Sequence, residues 1–425
     1  MKITMLFCTV LLSLIASLTA AQNIAPSPSI LCSPSPRVPF TNWAQYQFDP
    51  CHSGYNPWEF ILNSSNVRNL VLDWSDYTGP IADSAPTVAN GMVYIATAYE
   101  RQGPQYLYAF DAQSGTLIWT FEENANGPVH SSAAVAGGVV YYGGQTGLYA
   151  LNAATGVPIW SVPTEVPVSP PAVVDGVVYA EWGSGEPNLT RALYALNAAT
   201  GTVIWKHSFD VLPVQIYGVS ASAVASGIVY ATLELYWGGN SVYALNAATG
   251  AVLWEKAIYG AAAAPSVANN LVYVPSVDQN IYAFNAYSGA LIWKYKTTGF
   301  PYYAAAVAKG VLYVGADYLY ALNAANGTLL WKSDFILGNG TAVTSPVVAN
   351  GVVYTEGNWY DLVALDASTG ALLWKYTTSY GVGGTPTVAN GILYVGTAQK
   401  PTASDMEDSS TGDDSSSLLA FHLPN

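Results

Sequence analysis

The sequence predicts an all-β fold: an eight-bladed β-propeller of four-stranded antiparallel blades, its ring closed by an N-terminal strand that joins the C-terminal blade. Three observations predict it. An eleven-residue phrase, A-x-(N/D)-x-x-(T/S/N)-G-x-x-x-W, is written seven times. A strand-turn-strand phrase is written eight times. The piece missing from the last unit stands at the opposite end of the repeat region.

The seven phrases start at Ala109, Ala150, Ala195, Ala244, Ala283, Ala321 and Ala364 and end at Trp119, Trp160, Trp205, Trp254, Trp293, Trp331 and Trp374. Their glycines, from Gly115 to Gly370, recur every 42.5 residues on average, which suits a four-stranded blade. In each phrase a strand meets a turn in which Asn or Asp bonds back to the backbone and Gly supplies the left-handed residue. The other phrase resembles P-x-V-x-x-G-x-V-Y and covers residues 86–94, 171–179, 265–273, 346–354 and 386–394. Variants without the proline end at Tyr141, Tyr230 and Tyr313. Asn-Gly, Gly-Gly, Asp-Gly and similar pairs occupy its turn, as a tight hairpin requires.

Apolar residues fall on both faces of these strands. Leu117 and Trp119 share one face while Ile118 takes the other. A half-wet sheet would alternate polar and apolar, so each sheet is expected between two neighbours. The eighth hairpin is followed by Leu418-Leu419-Ala420-Phe421 but by no tryptophan strand, and Leu70-Val71-Leu72-Asp73-Trp74 supplies one. Such an exchange closes a ring and protects its edges.

Ahead of the repeats, residues 1–20 read as a secretory signal, with Lys2, an apolar core over residues 5–18 and small residues at the cleavage site. The competing reading is an uncleaved anchor, although the run is shorter than the ~20 apolar residues a span requires. No lipobox is formed around Cys8 or Cys32. Residues 21–42 are a Pro/Ser-rich linker, residues 43–68 an N-terminal arm, and residues 69–425 the propeller, with an acidic, mobile insertion at 399–417. Cleavage leaves 12 basic against 27 acidic residues, a formal charge of −15. Phosphate backbones repel such a chain, so nucleic acid is excluded as a partner, and so is a polybasic membrane contact. In an exported chain Cys32 and Cys51 are expected to form a disulfide contributing ~3 kcal/mol; two free thiols are the alternative.

The repeated phrase and its number of copies resemble the pyrroloquinoline-quinone (PQQ) repeat propellers over nearly all of residues 69–423, where it looks like their tryptophan-docking motif. Trp43-Ala44-Gln45-Tyr46, Tyr55-Asn56-Pro57, Asn66-Val67-Arg68-Asn69-Leu70 and Trp74 also resemble the entry to quinoprotein dehydrogenases. The resemblance implies that Trp74 and the seven phrase tryptophans pack against the adjacent blade. It does not carry over the enzyme's cofactor set. The adjacent Cys-Cys pair of those dehydrogenases is absent, the arm arginine is replaced around Gly54, no C-x-x-C-H occurs, and the blades are too short to roof a quinone.

His52, His130, His207 and His422 have no metal-ligand spacing. Three stretches read as longer loops place acids beside tryptophans outside the docking register. They hold Glu181 and Trp182, then Trp237, then Glu356 and Trp359, with Arg191 near the first. These are candidate rim residues for a protein or carbohydrate ligand; loop packing is the plainer reading. The acidic insertion lacks the spacing of an EF-hand loop. The expectation is therefore a secreted or periplasmic, monomeric, non-catalytic binding scaffold with no catalytic residues, metal or cofactor. The alternatives are a PQQ- and Ca²⁺-dependent alcohol or sugar dehydrogenase and an outer-membrane protein assembly role.

Overall fold

The computed structural model describes residues 42–424 apart from 79–83, 98–104, 124–130, 185–189, 210–219, 234–239, 261–262, 336, 338–343, 380 and 399–416. The signal, nearly all of the linker, Cys32, Trp237 and the acidic insertion lie outside the described residues, so the Cys32–Cys51 bridge stays an expectation.

Eight sheets form, each built on four antiparallel strands. Blade 1 is Thr87–Ala89, Met92–Ala96, Gln105–Asp111 and Leu117–Glu123, ordered from the channel outwards. Blades 2 to 7 repeat it. Blade 8 is Thr387–Ala389, Ile392–Ala398, Ser417–His422 and, from the other end of the repeats, Val71–Tyr77. That last strand runs antiparallel to Ser417–His422, with Leu72 opposite Phe421 and Trp74 opposite Ala420. The ring is closed as the exchange of parts requires.

Local chemistry shapes each blade. In the inner hairpins Asn90, Asp175, Asn350 and Asn390 take positive φ, each followed by a positive-φ glycine, the twist that suits a two-residue hairpin. In the outer turns Asn152 Oδ1 accepts the N–H groups of Ala154 and Thr155 at 3.0 and 3.1 Å. The pairing of every outer strand then slips by one residue just before or after its tryptophan, as at Ala195/Leu196 opposite Trp205. Such a bulge re-aims a side chain; here the indole turns into the next blade.

The core consists of the layers between blades. Trp119 Nε1 donates to the Ala153 carbonyl of blade 2 at 2.9 Å. A Cβ at Gly156 would stand 2.6 Å from that indole, so only glycine admits it. The hairpin tyrosine joins in: Tyr94 Oη donates to the same Ala153 oxygen at 3.2 Å. From blade 2 to blade 6, Tyr and Trp likewise share one carbonyl of the next blade, as Tyr230 and Trp254 do at Ala286. Only the tryptophan half of this joint was legible in the spacing. The tyrosine was equally visible, closing all eight hairpin phrases, yet nothing local shows that its hydroxyl reaches across.

The arm has a role that the sequence did not disclose. Residues 43–56 circle the channel and meet the inner strand of every blade in order. Trp43 exchanges both main-chain bonds with Val88 (2.8 and 2.9 Å), and the Ala44 carbonyl receives Val135 N at 2.7 Å. The Gln45 amide takes both main-chain groups of Val173. The carbonyls of Pro50, Cys51, Ser53 and Gly54 then receive the N–H groups of Val224, Val267, Val307 and Val348. Asn56 Nδ2 finishes the circuit on the Val388 carbonyl at 2.8 Å. An inner strand is an unpaired edge facing the channel, and an exposed edge is costly or sticky. One short segment covers all eight.

Candidate ligand site at the loop face

The two ends of the ring differ. Short turns within the inner hairpins and before the outer strands lie at one end, which we term the turn face. Connections from the second to the third strand, and from one blade to the next, lie at the loop face. Residues 43–56 of the arm line the channel, and the remainder of the arm crosses the turn face. There Asn350 Nδ2 donates to the Leu62 carbonyl, and Glu59 Oε2 accepts Gly391 N–H.

The positions two residues beyond each hairpin tyrosine stand at equivalent places at the loop-face end of the second strand. They are Ala96, Gly143, Glu181, Thr232, Pro275, Gly315, Glu356 and Gly396. Only blades 3 and 7 carry an acid there, and these blades are diametrically opposed in a ring of eight. Both acids are buried. This corrects the expectation of a loop at 181–182: the strand runs on as Val177–Ser184, because Gly183 pairs with Arg191 and Ser184 with Thr190. Trp182 is also buried, stacked flat on Tyr194 with ring centroids 3.6 Å apart. Glu356 ends its strand, Val352–Glu356. Trp359 is partly exposed, and its Nε1 is buried without a hydrogen-bond partner.

Glu181 has a defined setting. Ser222 Oγ of blade 4 donates to Oε1 at 2.7 Å, and Arg191 Nη2 lies 3.9 Å from Oε2. Burial pushes its pKa up to about 7, against the lowering effects of Arg191 and then Ser222. A carboxyl poised there donates or accepts near neutrality. Tyr46 of the arm packs among Ala221, Ala264 and Ala304, the residues preceding three inner strands, and its hydroxyl lies 3.3 Å from Ser345 Oγ. Thr344 Oγ1 beside it is buried without a partner. His52 abuts Tyr46 edge-on and bonds the Pro265 carbonyl through Nδ1 at 3.0 Å. Desolvation lowers its pKa to about 4, so it is neutral. No nucleophile–base pair arises from these groups. Among the described residues no three His, Cys, Asp or Glu side chains form a group able to hold a metal ion.

A family model described as "Outer membrane protein assembly factor BamB", built on PQQ-like repeats, matches residues 103–263, 190–317, 298–360 and 315–414. Together these matches cover most of the chain. It belongs to the PQQ-like repeat propeller family. Over 138 residues it is 33% identical to the dehydrogenase subunit of a quinone alcohol dehydrogenase from Komagataeibacter europaeus, a match covering 30% of this chain and 18% of that protein. The chain therefore matches less than a fifth of that relative's length. Its fold is similar to that of a europium-containing methanol dehydrogenase, with a TM-score of 0.74 at 14% identity over 90% of this chain and 98% of the other. It is also similar to BamB from Moraxella catarrhalis, with a TM-score of 0.61 at 17% identity over 83% and 99% of the two chains. At those identities the likeness shows the fold alone. Among the described residues no helix is long and apolar enough to cross a membrane.

Proposed function

We propose that this chain is an extracytoplasmic, non-catalytic scaffold that binds a protein or carbohydrate ligand at its loop face. One observation carries the reading: the arm occupies the channel and bonds to every blade, which leaves the loop face as the approach to the axis. Buried polar atoms without partners occur at that end, including Thr344 Oγ1 and Trp359 Nε1. Such atoms are costly, and a polar ligand would satisfy them. The family model's description, an assembly factor, accords with a role of this kind, and an outer-membrane assembly role is its most specific version.

The matches to quinone alcohol dehydrogenases favour a second reading, oxidation of alcohols or sugars with PQQ and Ca²⁺. The donor set at Glu181 fits that poorly. One carboxylate oxygen accepts from Ser222, and the other lies 3.9 Å from the Arg191 guanidinium, so a cation already stands beside this carboxyl. Two experiments separate the readings. Reconstitution with PQQ and Ca²⁺, followed by dye reduction with alcohols and sugars, should give no turnover and no retained quinone. Retained quinone with turnover overturns the scaffold reading. Replacing Trp237 and Trp359 by Ala should weaken capture of glycans, peptides or barrel-assembly components; unchanged capture removes the loop face as the binding site.

A further inference from the structure

The joint between blades 1 and 2 departs from the others at its loop-face end. The residue after the hairpin tyrosine is Ala, Val or Ile in six blades, and it packs into the layer against the preceding blade, as Val274 and Val314 do. Blade 2 carries Tyr142 there, on the strand Val139–Gly143. Four residues beyond the docking tryptophan every other blade holds Thr, Phe or Ile, whereas blade 1 holds Glu123. Both departures are polar and both are buried, Tyr142 completely. Gln105, opposite Glu123 in the ladder of blade 1, is completely buried as well. Opposed residues share one face of a sheet. Leu107 and Ala109, further along that face, pack in one cluster with Tyr142, so Gln105, Glu123 and Tyr142 turn into the same layer.

Glu123 is already provided for. Its Oε1 accepts Thr146 N–H and the Thr146 hydroxyl, each at 2.6 Å, and the Tyr149 hydroxyl at 3.3 Å. Its Oε2 accepts Gln145 N–H at 3.0 Å, and Gly144 makes room for it, since a Cβ there would collide with that oxygen. Its neighbours are not so served. Among the described residues nothing bonds to either amide atom of Gln105, to Tyr142 Oη or to Gln145 Oε1, all of them buried atoms. Burial, and then the charges of Glu123 and Tyr149, push the Tyr142 phenol well above its usual range, so it stands as a neutral hydroxyl near that carboxylate. Buried polar atoms of this kind call for partners, and the joint selects them. Glu123 repels an anion. A metal ion or an ammonium group finds its carboxylate met by four donors, about the number such a group accepts. What stays open is an amide that both donates and accepts, a phenol and a second carbonyl, with the Phe121 and Tyr149 rings 5.0 Å apart alongside. Neutral hydroxyl groups, each donor and acceptor at once, fit that set.

We propose that the joint between blades 1 and 2 is a carbohydrate subsite, in which Gln105 and Tyr142 bind the hydroxyl groups of a neutral sugar. It rests on the loop-face reading above and makes the ligand there carbohydrate rather than protein. The sugar enters beside the exposed Thr146 as the partly exposed Gln145 and Tyr149 side chains swing aside, the scale of movement common on binding. The test is calorimetric titration of the full chain with glucose, galactose, mannose, N-acetylglucosamine and cellobiose. The parent should bind at least one of them. Tyr142→Phe and Gln105→Leu remove only unpaired polar atoms, so each should keep the parent's melting temperature while weakening that sugar about tenfold. Thr355→Val, at the place in blade 7 that matches Tyr142, should leave the affinity unchanged. Binding of none of these sugars, equal affinity in the parent and both variants, or an equal loss in Thr355→Val overturns the proposal. Trp359→Ala separates it from the reading beneath it: if that variant weakens sugar capture and Tyr142→Phe does not, the loop face stands and this subsite falls.

Discussion

Six joints, from blade 1 through to blade 7, place two donors on one carbonyl, whereas each joint flanking blade 8 keeps a single donor. Trp374 Nε1 reaches the Leu70 carbonyl at 3.1 Å, but Tyr354 Oη beside it is buried without a partner. Tyr394 Oη reaches the Ala112 carbonyl at 2.8 Å, but Trp74 Nε1 has none. The difference lies in the covalent turn. In a regular joint the accepting alanine belongs to a turn that fixes both strands of its blade. Blade 8 has no such turn, since its outer strand arrives from the N-terminal end, so Leu70 replaces the alanine in the joint with blade 7. In the joint with blade 1 the acceptor Ala112 lies in an ordinary turn, and it is Trp74, on the transplanted strand, that makes no bond to it. The arm reinforces this place in particular, through Asn56 on Val388 and Glu59 on Gly391 of blade 8 and through the Leu62 carbonyl, which accepts from Asn350 of blade 7. His422 and Asp73, 3.5 Å apart, add a contact within the split blade.

The largest effect should come from the indoles themselves. Trp254→Ala should cost about 3–5 kcal/mol in denaturant unfolding. Trp74→Ala should cost about 1 kcal/mol less, for want of the hydrogen bond. Equal losses would remove the distinction between the two kinds of joint.

Acid and base should act on opposite ends. His52 is depressed from 6.5 to about 4, so its contribution is complete above pH 6.5 and is lost as the pH falls towards 4. Glu181 is raised from 4.5 to about 7, so its folded carboxylate carries a penalty that is absent below pH 4.5 and complete above 7. Each is worth at most about 3 kcal/mol. Titrating stability against pH, His52→Gln should gain on the parent as the medium is acidified, and Glu181→Gln should gain as it is made alkaline. Parallel curves for parent and variants would show that neither burial persists in solution.

Smaller still, Glu59→Ala leaves the N–H groups of Ile61, Leu62 and Gly391 without their acceptor and should cost about 1–3 kcal/mol. Hydrogen exchange would locate the loss: Ser417–His422 should lose protection while blades 2 to 6 keep theirs. Uniform loss would mean that the arm does not favour the split blade. Smallest, Asn246→Ala removes acceptors for Ala248 and Thr249 in one ordinary turn and should cost about 1 kcal/mol or less by thermal melting, with no change at blade 8.

Several of these features were legible before any coordinates. The repeated glycine and tryptophan, the Asn-Gly hairpins and the split between residues 70–74 and 418–421 specify the ring because each is a local backbone requirement repeated at one spacing. The site was less legible. Glu181 and Trp182 stand out by composition, but whether they line a loop or continue a strand depends on pairing with residues 190 and 191. Exposure cannot be read from residue type, which is how Trp182 comes to be buried while Phe60 is not.

The sequence by itself determined the blade, the blade count and the swap that closes the circle, since turn chemistry and a two-residue strand period act over a few positions. Only the tertiary structure decided that the arm bonds to all eight inner strands, that six of the hairpin tyrosines share carbonyls with the indoles, and that Glu181 and Glu356 end up buried on opposed blades. Those contacts join residues up to 332 positions apart, and what places them together is the curvature of the closed ring, which no local stretch of sequence encodes.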